Sequence, residues 1–208
     1  MNDTTHEFDD RAYVRKWAET ADQRRPQRPT VFRHIAALIA QLGSHRPHVL
    51  ELGCGPGALA YVLLETIDGL DYEGIDYSPP MLELARERLA RFGDRARLRE
   101  ADLRDDAWLR DVARALDAVV TNQALHDLGT GEAVGTTYER ARTLLRPGGL
   151  FVNAELVIPD GSASEKPGKL PVAVHLERLR AAGFVDVRAE LDYGDYVCLV
   201  GRAPAVSA

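Results

Sequence analysis

The chain has 208 residues, of which 45% are hydrophobic and 28% charged, with only 2 cysteines. This is the composition of a globular domain, and it excludes a disordered, collagen-like or disulfide-stapled protein. The formal net charge of -6 argues against nucleic acid as the partner. Cys54 and Cys198 lie far apart, the first ten residues are acidic and polar, and the sequence contains no apolar run of membrane-spanning length. We therefore expect a cytoplasmic protein without a membrane partner.

Short β-rich runs alternate with amphipathic stretches along most of the chain. The predicted strands are Val49–Leu52, Tyr72–Ile75, Ala96–Glu100, Ala115–Thr121 and Leu150–Val157. The predicted helices are Thr30–Leu42, Ala58–Ile67, Met81–Phe92, Asp106–Ala113 and Glu132–Leu145. Such alternation is typical of a mostly parallel sheet covered by helices.

The C-terminal third departs from this alternation. A predicted helix, Val172–Ala182, is followed by two apolar runs, Phe184–Leu191 and Tyr196–Val200, with a short turn containing Gly194 between them. A glycine-containing turn of this length favours an antiparallel hairpin. We therefore predict an α/β fold with a seven-stranded sheet, mostly parallel, that ends in an antiparallel hairpin. Residues 159–171 are rich in turn formers, which predicts a mobile surface loop.

A glycine-rich segment, residues 51–58, joins the first predicted strand to the next helix. Gly53 and Gly55 permit a sharp turn and the close approach of a ligand, and a helix N-terminus offers free N–H groups to an anion. Asp76 ends the next strand at a spacing that suits a carboxylate binding the two ribose hydroxyls of a nucleoside. Because Gly53-x-Gly55-x-x-Ala58 also fits a loose dinucleotide pattern, an NAD-dependent dehydrogenase is still open at this point.

Four segments in series resemble the motifs of the class I S-adenosylmethionine-dependent methyltransferases. Glu51–Gly57 is similar to their first motif, which has an acid two residues before the first glycine, and Gly74–Leu82 resembles their acidic second motif. Arg99–Leu103 resembles the third, and Leu145–Phe151 the segment that leads into their fifth strand. The resemblance covers roughly residues 46–200 and implies a Rossmann-like fold, methyltransferase activity and S-adenosyl-L-methionine as the cofactor. Glu51 and the terminal hairpin count against a dehydrogenase.

The resemblance also implies a role for individual side chains at the cofactor. Asp76 would accept from both ribose hydroxyls and Asp102 from the adenine amino group, while Tyr77 and Met81 would flank the adenine ring. The implied cofactor-binding set is completed by Glu51, Gly53, Gly55, Leu103 and Asn122. Asp102 could instead cap a helix over residues 104–110, and Tyr77 and Met81 could be core residues.

Glu51 and Asn122 are implied to contact the methionine end of the cofactor. Glu51 must have hydrogen-bond donors, because an isolated buried carboxylate is costly. Cys54 is expected to be a packed residue rather than a nucleophile. No metal site is predicted.

The reaction site of an open α/β sheet lies beyond the carboxyl ends of its strands, which points to residues 122–128 after the fourth strand. This segment lacks the Asn-Pro-Pro-Tyr or Pro-Cys sequences of the family's nucleic-acid enzymes, so a small-molecule substrate is favoured. His126 has an ordinary pKa of about 6.5 and is the candidate general base for a hydroxyl acceptor, although it could be a packed histidine. Asp127 is its neighbour in sequence, but adjacent helical residues point apart, so no orienting hydrogen bond is implied.

Residues 1–45 match none of these motifs and are predicted to form a helical lid, with residues 46–208 as the S-adenosylmethionine-binding domain. Between Arg11 and Arg33 stand seven cations and two acids, which usually form a solvated face but could attract an anionic substrate or RNA. Tyr13 and Trp17 share one helical face and could cover the cofactor.

The sequence as a whole favours methyl transfer to an O or N atom of a small-molecule metabolite. The alternatives are an rRNA or tRNA methyltransferase and a non-catalytic S-adenosylmethionine-binding protein. The sequence determines neither the acceptor nor the oligomeric state.

Overall fold

The computed structural model of the protein describes residues 6–162, 164 and 166–205. Across these residues, seven strands form one sheet in the order β3-β2-β1-β4-β5-β7-β6. They are β1 (His48–Leu52), β2 (Asp71–Asp76), β3 (Ala96–Glu100), β4 (Leu116–Asn122), β5 (Leu145–Leu156), β6 (Val185–Asp192) and β7 (Tyr196–Arg202). The first five strands pair in parallel, and β7 lies antiparallel between β5 and β6. The predicted mostly parallel sheet with a C-terminal hairpin is confirmed.

Six α-helices surround the sheet in the described part of the chain. They are α1 (Arg11–Arg24), α2 (Arg28–Ala40), α3 (Ala58–Thr66), α4 (Pro79–Leu89), α5 (Gly131–Leu144) and α6 (Val172–Ala181). Single 3-10 turns lie at His6–Asp9, Ala107–Arg110 and Leu125–Leu128, and a kinked 3-10 stretch spans Ala90–Arg95. None of these helices has the length and apolar character needed to cross a bilayer.

One predicted helix, Asp106–Ala113, is wrong, because only its Ala107–Arg110 part is helical and that part is a 3-10 turn. A helix of eight residues has little intrinsic stability, so tertiary packing decides the local conformation. One turn is enough to bury Trp108 in the core.

Hydrophobic cores lie on both faces of the sheet. One includes Ile35 and Ile39 of α2, Leu63 of α3 and Val120 of β4, and the other is built around Trp108, Tyr138 of α5 and Phe151 of β5. The apolar spacing along each helix directs one face onto the strands, as amphipathic periodicity requires.

Helix α2 lies within residues 1–45, which were predicted to form a lid, but it packs in the core. Val31, Phe32, Ile35 and Ile39 are buried in the same core as the strands. The described residues before Arg25 instead pack against α4, through α1 and the turn at His6–Asp9. Of the described residues, a lid that is separate from the core can therefore comprise α1 and the turn His6–Asp9, but not α2.

The strand order positions the functional site. The chain runs outward from β1 to β3 and then returns to place β4 on the other side of β1. The loops after β1 and β4 therefore diverge and open a crevice at the carboxyl ends of these strands.

Candidate functional site

A cavity of about 550 Å³ lies at the carboxyl ends of the central strands, beside α1. This volume is in the ordinary range for small-molecule sites. Every side chain or glycine that the sequence analysis assigned to the cofactor or to catalysis lines it: Glu51, Gly53, Gly55, Asp76, Tyr77, Met81, Asp102, Leu103, Asn122 and His126. The fold thus brings together residues from four segments, at the carboxyl ends of β1, β2, β3 and β4, that are far apart in the chain.

The glycine-rich loop after β1 forms one wall of this cavity. Gly53 and Gly55 have φ angles of +67° and +51°, which side chains other than glycine rarely adopt. A Cβ atom at Gly53 would stand 2.4 Å from Cβ of Ala124, so the loop and the segment after β4 pack too closely for any side chain there. A Cβ atom at Gly55 would meet no described atom within 4 Å, so the backbone at Gly55 is open to a ligand.

Asp76, at the end of β2, is held by two backbone N–H groups. Ser78 donates to its Oδ1 over 2.9 Å and Gly55 to its Oδ2 over 2.7 Å. Burial raises the pKa of Asp76 above its ordinary value, and these N–H groups oppose the shift. A carboxylate oxygen can accept more than one hydrogen bond, so both oxygens can also accept from hydroxyls in the cavity. The geometry fits a ribose.

Glu51 lies buried under the glycine loop with a donor beside it. The Tyr72 hydroxyl donates to its Oε2 over 2.7 Å, which supplies a hydrogen bond of the kind expected for a buried acid. Burial raises the pKa of Glu51 to about 8, against the Tyr72 hydrogen bond that lowers it. The raised pKa favours the protonated acid, whereas a cationic group of a ligand beside Glu51 would favour the ionised form. Burial also raises the pKa of the Cys54 thiol well above its ordinary value, so Cys54 is not an activated nucleophile.

The other end of the cavity is lined by Tyr77, Met81, Asp102 and Leu103. Asp102 is 37% exposed and pairs with Arg104, whose Nη2 lies 2.7 Å from Oδ2. The hydrogen bonds from Arg104 lower the pKa of Asp102, so it is an ionised acceptor. The alternative role of Asp102 as cap of a helix over residues 104–110 is wrong, because Asp102 accepts from the Arg104 N–H within a turn and no helix begins there.

His126 lies in the 3-10 turn Leu125–Leu128, and its partner is Glu155 of β5. His126 Nδ1 is 2.8 Å from Glu155 Oε1, and His126 Nε2 is 3.4 Å from Asp127 Oδ2. Glu155 is fully buried and also accepts from the backbone N–H groups of Leu125 and Leu156, over 2.9 and 2.7 Å. The orienting acid is therefore not the sequence neighbour but a residue on the adjacent strand.

His126 and Glu155 stabilise each other's charged form. Burial by itself lowers the pKa of His126, but the charge of Glu155 and its hydrogen bond raise it, and the net shift is upward. Burial by itself raises the pKa of Glu155, but the charge and hydrogen bond of His126 and the Leu156 N–H lower it, and the net shift is downward.

Sequence reasoning missed three residues that bear on this cavity. Glu155 carries the one charged side chain of the predicted strand Leu150–Val157, which was the available signal. Gln123 lines the cavity with a φ of +52°, and its buried Nε2 lacks a hydrogen-bond partner among the described atoms. Arg28 was counted only as one cation of the run between Arg11 and Arg33, and it reaches the cavity from α2.

Two further segments border the cavity. Phe8 contacts Tyr13 and Trp17 edge to face, with ring centroids 5.7 and 6.0 Å apart, and its carbonyl accepts from Ser78 Oγ over 2.5 Å. From the loop at residues 159–171, Lys166 Nζ lies 2.8 Å from Asp127 Oδ1. These two segments thus add aromatic rings and an ion pair to the wall of the cavity.

The comparisons with known proteins agree with this arrangement. Residues 50–151 match the methyltransferase domain family. The chain belongs to the class I S-adenosylmethionine-dependent methyltransferases. It is 36% identical over 104 residues to a trans-aconitate 2-methyltransferase of Paracidovorax citrulli, a match that covers 50% of this chain and 36% of that one.

Solved methyltransferase structures share the fold. An O-methyltransferase family protein from Burkholderia thailandensis superposes with a TM-score of 0.75 at 20% identity, over 96% of this chain and 62% of that one. Human N-acetylserotonin methyltransferase in complex with S-adenosylmethionine gives a TM-score of 0.70 at 17% identity, over 98% and 59%. The chain spans less than two thirds of each of these relatives. The predicted family and its cofactor, S-adenosylmethionine, are confirmed.

Proposed function

We propose that this methyltransferase transfers the methyl group of S-adenosylmethionine to a small-molecule metabolite. Of the O and N acceptor atoms that the sequence left open, we propose a hydroxyl oxygen. The observation that carries this proposal is the His126–Glu155 pair at the wall of the cavity. A neutral amine can attack without first losing a proton, whereas a hydroxyl gains from a base that removes its proton as it attacks.

The cofactor-binding residues suit this role. Asp76 is aligned to accept from the ribose hydroxyls, Asp102 is an ionised acceptor at the adenine end, and Glu51 lies where it can pair with the amino-acid end. When bound, S-adenosylmethionine supplies a methyl carbon on a sulfonium leaving group. The main work of the protein is then to align the acceptor and to exclude water.

His126 can remove the acceptor proton. Because Glu155 accepts at Nδ1, the neutral ring carries its proton on Nδ1 and its lone pair on Nε2. Nε2 takes the proton of the hydroxyl, and the resulting imidazolium lies between two carboxylates, Glu155 and Asp127. Glu155 is therefore a positioning residue that fixes the tautomer and stabilises the charge.

The alternatives receive less support. A non-catalytic protein that only binds the cofactor would have a closed pocket beyond Asn122, whereas the cavity continues to His126 and Leu128. An rRNA or tRNA substrate is opposed by the net charge of -6.

The proposal is tested by supplying methyl-labelled S-adenosylmethionine with separate pools of phenols and other hydroxyl compounds, carboxylic acids, amines and RNA. We expect label in the hydroxyl pool, at oxygen by mass spectrometry of the product. Label confined to RNA or to amines would contradict the proposed acceptor. Binding of the cofactor without transfer to any pool would favour the non-catalytic alternative.

A further inference from the structure

Arg28 is a buried arginine that the proposed methyl transfer does not use. It is the first residue of α2, only 3% exposed, and it lines the cavity close to the corner between α1 and α2. Its guanidinium carbon lies 5.9 Å from the ring centre of Trp17 and 5.2 Å from that of Phe32. These two rings hold the guanidinium in place, so its position in the cavity wall is defined by packing.

The guanidinium is short of hydrogen-bond acceptors. Nε and Nη1 of Arg28 are both buried and have no hydrogen-bond partner in the part of the chain that the structure describes. The nearest carboxylate is that of Asp22, with Oδ1 3.5 Å from Nη1, and Asp22 is 64% exposed to solvent. Buried polar groups in native proteins nearly always have a partner, so a buried guanidinium in a cavity wall indicates that a ligand supplies the acceptor.

Other arginines near the cavity are satisfied by the protein itself. Arg88 donates to the carbonyl of Pro56 over 2.7 Å, Arg140 donates to that of Leu103 over 2.8 Å, and Arg25 pairs with Asp195 over 2.9 Å. Arg28 differs from them because it lines the cavity and two of its donors have no hydrogen-bond partner among the described residues. Burial lowers the pKa of Arg28, but a guanidinium stays charged at neutral pH.

We propose that Arg28 is the carboxylate-binding residue of this cavity. A guanidinium presents parallel donors that match the two oxygens of a carboxylate, and its single charge matches theirs. This inference rests on the proposed function, because both sources of such a carboxylate are ligands of the methyl transfer. One source is the amino-acid end of the cofactor, and the other is a carboxylate on the acceptor beside the aromatic rings of Phe8, Tyr13 and Trp17.

The test compares Arg28→Gln and Arg28→Lys with a matched control, Arg33→Gln, which removes the same charge from the exposed face of the same helix. Calorimetry measures the affinity of each protein for S-adenosylhomocysteine, for decarboxylated S-adenosylmethionine and for 5′-methylthioadenosine, which lacks the amino-acid end. In a second series, each protein saturated with 5′-methylthioadenosine is titrated with benzoate and with its uncharged analogue, benzamide.

If Arg28 binds the cofactor carboxylate, Arg28→Gln weakens S-adenosylhomocysteine by roughly 10- to 150-fold, which is the loss expected for a hydrogen bond to a charged group, and leaves the two carboxylate-free ligands unchanged. If it binds the acceptor carboxylate, S-adenosylhomocysteine binds as before, but the wild-type preference for benzoate over benzamide disappears. Arg33→Gln behaves as the wild type in both cases.

The proposal is overturned if Arg28→Gln binds S-adenosylhomocysteine and benzoate within twofold of Arg33→Gln. If Arg28→Gln does not give a cooperative thermal transition, Arg28→Lys decides instead, because it keeps the charge and the alkyl stem but loses the parallel donors. If the wild type binds none of the adenosine ligands, the proposed function fails, and the benzoate titration, repeated without 5′-methylthioadenosine, decides the role of Arg28 separately.

Discussion

Replacing Glu155 by glutamine tests the proposed base through a residue that does not touch the acceptor. The substitution keeps the size of the side chain and removes the charge opposite His126 Nδ1, which lies 2.8 Å from Oε1. The amide oxygen of glutamine can still accept from Nδ1, so a hydrogen bond to a charged group becomes one to a neutral group, and the loss is at most about 1.5–3 kcal/mol. If all of it is expressed in the transition state, kcat falls by roughly 10- to 150-fold.

The pH dependence separates this effect from a general loss of activity. His126 must be neutral to accept a proton, so the wild-type rate rises with pH through the raised pKa of His126, above its ordinary value of 6.5. In Glu155→Gln the charge that raises this pKa is gone. The rising limb therefore moves to lower pH while the plateau falls.

Stability should change in the same variant with a defined pH window. The depressed pKa of Glu155 stabilises the fold above its ordinary value of 4.5 and loses this effect as the pH falls. The raised pKa of His126 stabilises the fold fully below its ordinary value of 6.5. This stabilisation is lost as the pH rises through the raised pKa of the folded protein. The destabilisation by Glu155→Gln is thus expected to be largest between these two values, measured by thermal unfolding.

The assay is kcat against pH with the hydroxyl acceptor found in the labelling experiment, at saturating cofactor. Glu139→Gln, at an exposed position on α5, is the control. It should match the wild type in kcat, in the pH at which kcat rises and in thermal stability. If kcat of Glu155→Gln rises at the same pH as in the wild type and reaches the same plateau, the His126–Glu155 pair has no role in the mechanism. Alignment of the acceptor would then be the source of the rate.

Four other perturbations address the base, the cofactor site, the lid and the core. His126→Ala should lower kcat by about 10²–10⁴-fold for a hydroxyl acceptor with little change in cofactor affinity by calorimetry, and unchanged turnover would exclude His126 as the base. Asp76→Ala should weaken S-adenosylmethionine by about 1.5–3 kcal/mol in calorimetry, without NAD binding to either protein. Deletion of residues 1–27 should leave a cooperative thermal transition and lower turnover more than cofactor affinity, whereas an unfolded product would show that α1 belongs to the core. Ile35→Ala should cost about 2–5 kcal/mol in urea unfolding, because Ile35 is fully buried against the sheet, and a cost near zero would contradict the assignment of α2 to the core.

Much of the cofactor site could be predicted because its residues follow the strands directly. Glycines 53 and 55 and Asp76 occupy fixed positions at the carboxyl ends of β1 and β2, and a parallel sheet places such ends at one edge whatever the details of packing. Their spacing in the sequence is therefore enough to predict that they lie close together in the structure. The same local logic places Asn122 and His126 after β4.

Interactions between distant segments could not be predicted in this way. Glu155 reaches His126 because β4 and β5 are neighbours with Asn122 opposite Ala154, a register that no local pattern encodes. The sequence neighbour Asp127 lies farther from His126, with Oδ2 3.4 Å from Nε2, and its Oδ1 pairs with Lys166 of a distant loop over 2.8 Å. The predicted helix Asp106–Ala113 is likewise only one 3-10 turn, Ala107–Arg110, which buries Trp108. A short segment has weak helical propensity, so burial of this large ring decides its conformation.

The sequence by itself determined the alternation of strands and helices, the glycine loop, the acid at the end of β2 and the terminal hairpin, because each depends on local periodicity and turn chemistry. The tertiary structure alone decided that α2 belongs to the core, that Glu155 is the partner of His126 and that Arg28 reaches the cavity with two donors unpaired among the described residues. These features depend on which surfaces of separate segments are buried against each other, and burial is a property of the whole packed chain.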